Sequence, residues 1–327
     1  MKFASTCIAA LAAFTVTAQP AELRLSGPYA HDNLSIYLVH GQNRVQKRYL
    51  TLTEAMQQRK VVVYETSNVN MLQVENLSDQ DVYIQSGEIV KGGKQDRVLK
   101  DDIIVPSSSG KVNLSAFCVE HGRWTQRGHE SAQAFAASPN AVASRAMKLA
   151  VKDKGAQTEV WAEAAREQDR LTANLGAPVK AAASPSSYQL TLESAKVKET
   201  AEAFKKDLSD LAGRFPDALG FVMAVNGKVT GADVYATHDL FHKLWPKLLE
   251  SAAIEAMSTG RPGGKIGPPP MADVRAAATG YGARVSSEQQ LNRRTNNLKA
   301  DLPQGVVFET KDADAPQAPV HRNYVAK

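Results

Sequence analysis

The sequence predicts an α+β fold: a β-rich N-terminal sheet or sandwich, then a helical hairpin, then a C-terminal helix–β-hairpin–helix unit packed on that sheet. Three observations predict it. Residues 23–124 are a succession of short alternating or β-branched runs separated by turn chemistry. Residues 138–176 switch to alanine-rich, charge-decorated sequence with glycine stops. Asn226-Gly227 stands between two apolar runs, and its tolerance of positive φ at both turn positions marks a two-residue hairpin.

The first segment, MKFASTCIAALAAFTVTA, carries a positive residue at Lys2, an apolar run and a small-residue cleavage site. It predicts a signal peptide over residues 1–18 and a periplasmic or secreted mature chain. The apolar run is shorter than the ~20 residues that cross a bilayer, so no membrane span is expected. Loss of Cys7 with the leader leaves Cys118 without an internal disulfide partner, and a lone thiol most simply packs as a small buried apolar group. The formal charge of +5 falls to +4 without Lys2, mildly basic and unclustered. That balance suits anionic ligands or an anionic cell surface and lacks the basic face that nucleic-acid binding needs; the expected partner is a small anionic ligand or an envelope partner protein.

Strands are expected from NLSIYLV, where Leu34, Ile36 and Leu38 alternate, through Val61–Tyr64, MLQVEN, VYIQ, RVL, DIIV and VNLSAFCV. TLTEAMQQ interrupts them as a short helix. Ser138-Pro139 reads as a helix start, with Gly155 and Gly176 ending the two arms of the hairpin. After a linker over 176–188, Val197, Ala201, Phe204, Leu208 and Leu211 share one helical face. The Asn226-Gly227 hairpin precedes a helix from Asp239 to Met257 that buries Phe241, Leu244, Trp245, Leu248, Leu249 and Ala252, with a kink or restart at Pro246. Residues 19–260 are expected to form one domain and 261–327 a loop-rich extension. In that extension GVVFET returns one strand and the tail from Asp312 is loose.

Two polar stretches carry the chemistry, GEIVKGGKQDRV (87–98) and FCVEHGRW (117–124). The first lacks the spacing, the Ser or Thr and the following helix of a P-loop. Its glycine pair reads either as a hairpin turn or as a backbone cradle for an anion. Glu88, Asp96 and Arg97 sit in strand-like flanks, where charge needs a partner or a ligand. Lys91, Gly92, Gly93, Lys94, Gln95, Arg97, Glu120, Arg123 and Trp124 are the candidate ligand-binding residues, with Arg123 supplying charge and Trp124 a stacking face. Glu88, Asp96 and His121 are the candidate acids or bases. Cys118 and His121 fall short of a metal set, so no metal is assigned and the cofactor stays unknown. His238 and His242, one helical turn apart, read as solvated or core-edge histidines.

From these stretches, together with LGFVMAVNGKVTGADVYATHDLFHKLWPKLLESAAIEA, the chain resembles the ARG- and rhodanese-phosphatase-superfamily-associated protein domain over roughly residues 25–260. The matching positions are Glu88, Lys91–Arg97, Cys118, Glu120–Gly122, Arg123 and Trp124. The family's name records associations with other domains, so the resemblance assigns no reaction. Three readings stand: an exported module binding an anionic ligand, a hydrolase or transferase, and an envelope structural or interaction protein. All expect the two polar stretches to meet in one concavity.

Overall fold

The computed structural model describes residues 23–138 and 142–327, so the expected leader and Pro139 lie outside them. The chain opens with β1 (Arg24–His31) and β2 (Leu34–His40), an antiparallel pair that starts the largest sheet. The alternation in β2 divides two cores: Leu34, Ile36 and Leu38 enter one, Tyr37 and Val39 the other.

A unit of short strands follows: β3 (Leu50–Thr51), β4 (Val61–Asn68), β5 (Met71–Asn76), β6 (Val82–Ile84) and β7 (Ile89–Gly92). It continues with β8 (Arg97–Leu99), β9 (Ile103–Val105), β10 (Val112–Cys118) and β11 (Phe135–Ala137). Six form an antiparallel sheet in the order β11-β7-β8-β10-β5-β4, and β3-β6-β9 form a smaller one. Helix α1 (Leu52–Gln57) opens on a capping box, in which Thr51 and Glu54 satisfy each other's backbone N–H groups. Val61, Val63, Leu72, Val74 and Leu114 pack with Leu52 and Ala55 into this unit's own core.

The helical hairpin is present with a later start than expected. Ser138 is not its cap, because the Ser138 N–H extends the β11–β7 ladder by donating to Ile89 O at 3.0 Å. Instead Ser144 caps α2 (Arg145–Lys148), which runs into a π-helix over Leu149–Lys154. Gly155 and, after α3 (Gln157–Leu175), Gly176 end the two arms in the left-handed conformation, both at φ 62°. Next come α4 (Tyr188–Leu192), α5 (Ala195–Leu208) and α6 (Leu211–Arg214). Val197, Ala201, Phe204 and Leu208 are the buried face of α5, and Leu211 joins the same core from α6.

Strands β12 (Ala218–Val225) and β13 (Lys228–Tyr235) flank Asn226-Gly227, whose φ values are 53° and 74°. Helix α7 (His238–Thr259) lies on β12 and buries all six expected apolar residues. It passes unbroken through Pro246, so the expected restart does not occur. Pro246 and His242 are on the exposed face, where water can take the carbonyl that proline leaves free.

Residues 261–327 are not a loop-rich extension. They form α8 (Met271–Thr279), β14 (Arg284–Gln290), β15 (Thr295–Leu302), β16 (Gly305–Asp312) and β17 (His321–Ala326). The large sheet runs β1-β2-β12-β13-β17-β16-β15-β14, so half of its strands come from beyond residue 260. The expected GVVFET strand is β16, but the tail expected to be loose supplies β17, inserted between β13 and β16. Helices α5 and α7 cover one face of this sheet, with α3 packed on α7, and α8 covers the other. The protein is α+β, with a large antiparallel sheet and a smaller β unit docked against it.

Candidate functional site

The glycine pair makes a hairpin. β7 and β8 are paired through Ile89↔Val98 and Val90↔Arg97, with Gly92 and Gly93 at positive φ in the bend. A Cβ on Gly93 would stand 2.4 Å from the Phe135 ring, so the bend admits no side chain there. Strand β10 pairs with β8 through Cys118↔Arg97, which carries residues 119–124 to the hairpin tip. The two polar stretches therefore meet: Arg123 Nη2 lies 3.7 Å from Asp96, and Trp124 faces Lys94 Nζ at 5.3 Å and the Arg97 guanidinium at 5.5 Å.

What they form is a neutralised cluster. Asp96 is wholly buried and receives both ends of the Arg127 guanidinium at 2.9 and 3.0 Å, the Gly92 N–H at 3.0 Å and the Ser187 hydroxyl at 3.2 Å. Glu120 accepts the Arg123 guanidinium at 2.8 and 2.9 Å and the Ser184 hydroxyl. Burial alone would raise the Glu120 pKa, but Arg123 and Ser184 outweigh it and hold the carboxyl below its ordinary value. Burial opposes the charge on Arg127, and Asp96 and Glu130 raise its pKa further than burial lowers it. Arg97 is fully buried, donates to Gln95 O at 2.6 Å and faces Glu65 at 3.5 Å. Lys91 is paired with Glu193 at 2.7 Å.

The remaining residues point elsewhere. Glu88 is fully buried on the α7 side, where Lys247 Nζ donates to it at 2.8 Å. His121 is exposed and sets its ring edge against Trp161, 4.5 Å away. Cys118 is buried, and burial pushes its thiol up to about 11. The rings of His238 and His242 lie 5.7 Å apart, and His238 bonds the Ala218 carbonyl at 2.8 Å. Among the described residues, no three His, Cys, Asp or Glu converge to hold a metal, and no helix is long and apolar enough to cross a membrane.

Sequence reasoning missed Arg127, whose only signal is its place just beyond FCVEHGRW. It also missed a second buried network. His321 lies between Asp102, 2.8 Å from Nδ1, and Asp233, 3.0 Å from Nε2, with the Tyr235 ring stacked on it at 4.5 Å. Asp102 in KDDII showed the same signal that marked Glu88, a charge inside strand-like flanks. The third omission is a cleft of about 660 Å³ where Arg44, Arg275 and Arg322 come together beside His40, Leu25 and Ala278. These arginines come from the loop after β2, from α8 and from β17. Arg322 is paired with Glu309 at 2.6 Å, whereas Arg44 and Arg275 have no ion pair among the described residues. Burial, then Arg322, lowers the pKa of Arg44, against the opposing pull of Glu309.

No curated protein and no solved structure matches the chain. One family model does, over residues 22–312, reaching past the helical core into the strands that complete the large sheet. The chain belongs to the ARG and Rhodanese-Phosphatase-superfamily-associated Protein domain family.

Proposed function

We propose that the chain is an exported binding protein for an anionic organic ligand, held in the cleft between Arg44, Arg275 and Arg322. The supporting observation is the charge balance of that cleft. Three guanidinium groups line one concavity, and among the described residues Glu309 is the one carboxylate in an ion pair with any of them. Like charges held together at a part-buried site raise the free energy of the empty cleft, and a bound anion relieves it. Leu23, Leu25 and Ala278 supply apolar wall beside the arginines, which favours a ligand with a carbon body over a bare inorganic ion. The cations of the two polar stretches are engaged by the protein's own carboxylates, so they support the fold around this function. The acid–base alternative loses Glu88 to Lys247 and Asp96 to Arg127.

The test is calorimetric titration with organic phosphates and with di- and tricarboxylates at low and high salt. Binding is expected to weaken with salt, and Arg44→Ala or Arg275→Ala to cost roughly tenfold or more in affinity, as for loss of one charge-assisted hydrogen bond. Equal affinity in both variants and the parent would overturn the reading.

A further inference from the structure

A second pocket shares no lining residue with the arginine cleft, although Glu309 in its wall pairs with Arg322 of that cleft. It encloses about 240 Å³ and is lined by Lys100, Asp101, Lys152, Asn297, Phe308 and Thr310, among others. Lys152 stands on the π-helix, a rare widening of the helical turn that recurs at functional sites. The widening is real in the hydrogen bonding: the Gly155 N–H reaches Ala150 O, five residues back, at 3.0 Å. It closes on a left-handed glycine, and Lys152 within it differs from Lys148, the residue that precedes it. Lys148, at its start, approaches Asp233 at 3.7 Å. Lys152 is part-buried and has no hydrogen bond or ion pair among the described residues; its Nζ stands 4.3 Å from the centre of the Phe308 ring.

We propose that Lys152 is a reactive amine that condenses with a small carbonyl compound carrying an anionic group. The physical case rests on that geometry. Asp101 and Glu309 share its pocket, yet Lys152 makes no direct ion pair among the described residues, so it is neither solvated as a surface lysine is nor tightly paired as a buried one usually is. Burial, then Lys148, lowers its pKa, against the opposing pull of Asp102 and Asp101, which enriches the free amine. Burial also raises the pKa of Asp101, leaving a carboxyl in the same lining able to hold a proton. Lys100, which has no ion pair among the described residues, supplies positive charge for the ligand's anionic end. Asn297 and Thr310 offer further polar groups.

The step balances without a redox partner. The Nζ lone pair adds to the carbonyl carbon, forming the C–N bond as the C=O π pair moves to oxygen. The Asp101 carboxyl gives that oxygen a proton, and Nζ returns one to Asp101. Protonated again from Asp101, the hydroxyl departs as water and leaves the protonated imine, whose N–H proton returns to the Asp101 carboxylate. Amine and carbonyl compound become imine and water.

The test uses the full mature chain with glyoxylate as probe and cyanoborohydride to trap the imine, followed by peptide mapping. Lys152 is expected to be labelled severalfold faster than exposed Lys154, although it is less accessible. Asp101→Asn is expected to slow labelling at Lys152 and leave Lys154 unchanged. Labelling that simply follows exposure across the lysines would overturn the proposal in the unaltered protein, whatever the variant does. Arg275→Ala should leave the Lys152 result as it is, which separates this pocket from the arginine cleft.

Discussion

At the scale of single residues, His321 shows how charge is managed inside this protein. Burial would lower its pKa, but Asp102 and Asp233, one on each ring nitrogen, raise it above 6.5. A group whose folded pKa exceeds its unfolded value stabilises fully below the unfolded pKa and loses that contribution as pH rises through the folded one. The aspartates run the other way: their pKa values are lowered, so their contribution fades in acid. Urea unfolding is therefore expected to show a loss of stability that begins above pH 6.5 and is absent in His321→Gln. That variant should lose about 3–5 kcal/mol at pH 6, as when one member of a buried charge pair is removed. The same reasoning recasts Glu88. Its partner Lys247 is itself buried, so Glu88→Gln is expected to cost about 3–5 kcal/mol, while Glu88→Gln with Lys247→Met recovers most of it. Equal losses in the single and double variants would refute the pairing. Cys118, buried and held protonated, should resist a thiol reagent at neutral pH until denaturant is added.

At the scale of elements, the β7–β8 hairpin is fixed by what touches its bend. Gly93→Ala would drive a methyl into Phe135 and the Glu65 carboxylate, at 2.4 and 2.8 Å, from a backbone at φ 56°. A loss of roughly 2 kcal/mol or more in chemical denaturation is expected, and a neutral result would contradict the packing described. This element and the Asn226-Gly227 hairpin were legible in the sequence because the turn residues themselves are adjacent, although Phe135 and Glu65, which hold the β7–β8 bend, are remote. The strands beyond residue 260 were not. β14 is RVSSEQQ, exposed along its whole length, and gives no alternation to read. In β17 the polar residues His321 and Asn323 are buried, because Asp102, Asp233 and the Ala232 carbonyl receive them. Helix α8 buries just Val274, Ala277 and Ala278, a short stripe in a loop-like context. The arginine cleft had no linear trace, since residues 44, 275 and 322 meet solely through the closed sheet.

At the scale of the whole molecule, the N-terminal β unit is joined to the rest by buried polar links. Glu88 reaches Lys247 on α7, Asp102 reaches His321 on β17, and Asp81 reaches Arg294, which also grips Asp312. Buried pairs are screened little by salt, so unfolding is expected to stay one cooperative transition as ionic strength rises. Two resolved transitions by fluorescence and circular dichroism would contradict that. Removing residues 313–327 takes out β17 and opens the middle of the large sheet. The truncated chain is expected to lose its far-ultraviolet signal and accumulate as aggregate, whereas a dispensable tail would leave both unchanged.

The position of β17 also sets a schedule. Two groups of strands made earlier, β1-β2-β12-β13 and β16-β15-β14, wait for a keystone that leaves the ribosome after both. Until residue 326 has emerged, the nascent polypeptide has no way to seal its main layer, and the two unjoined halves stay open to chaperones.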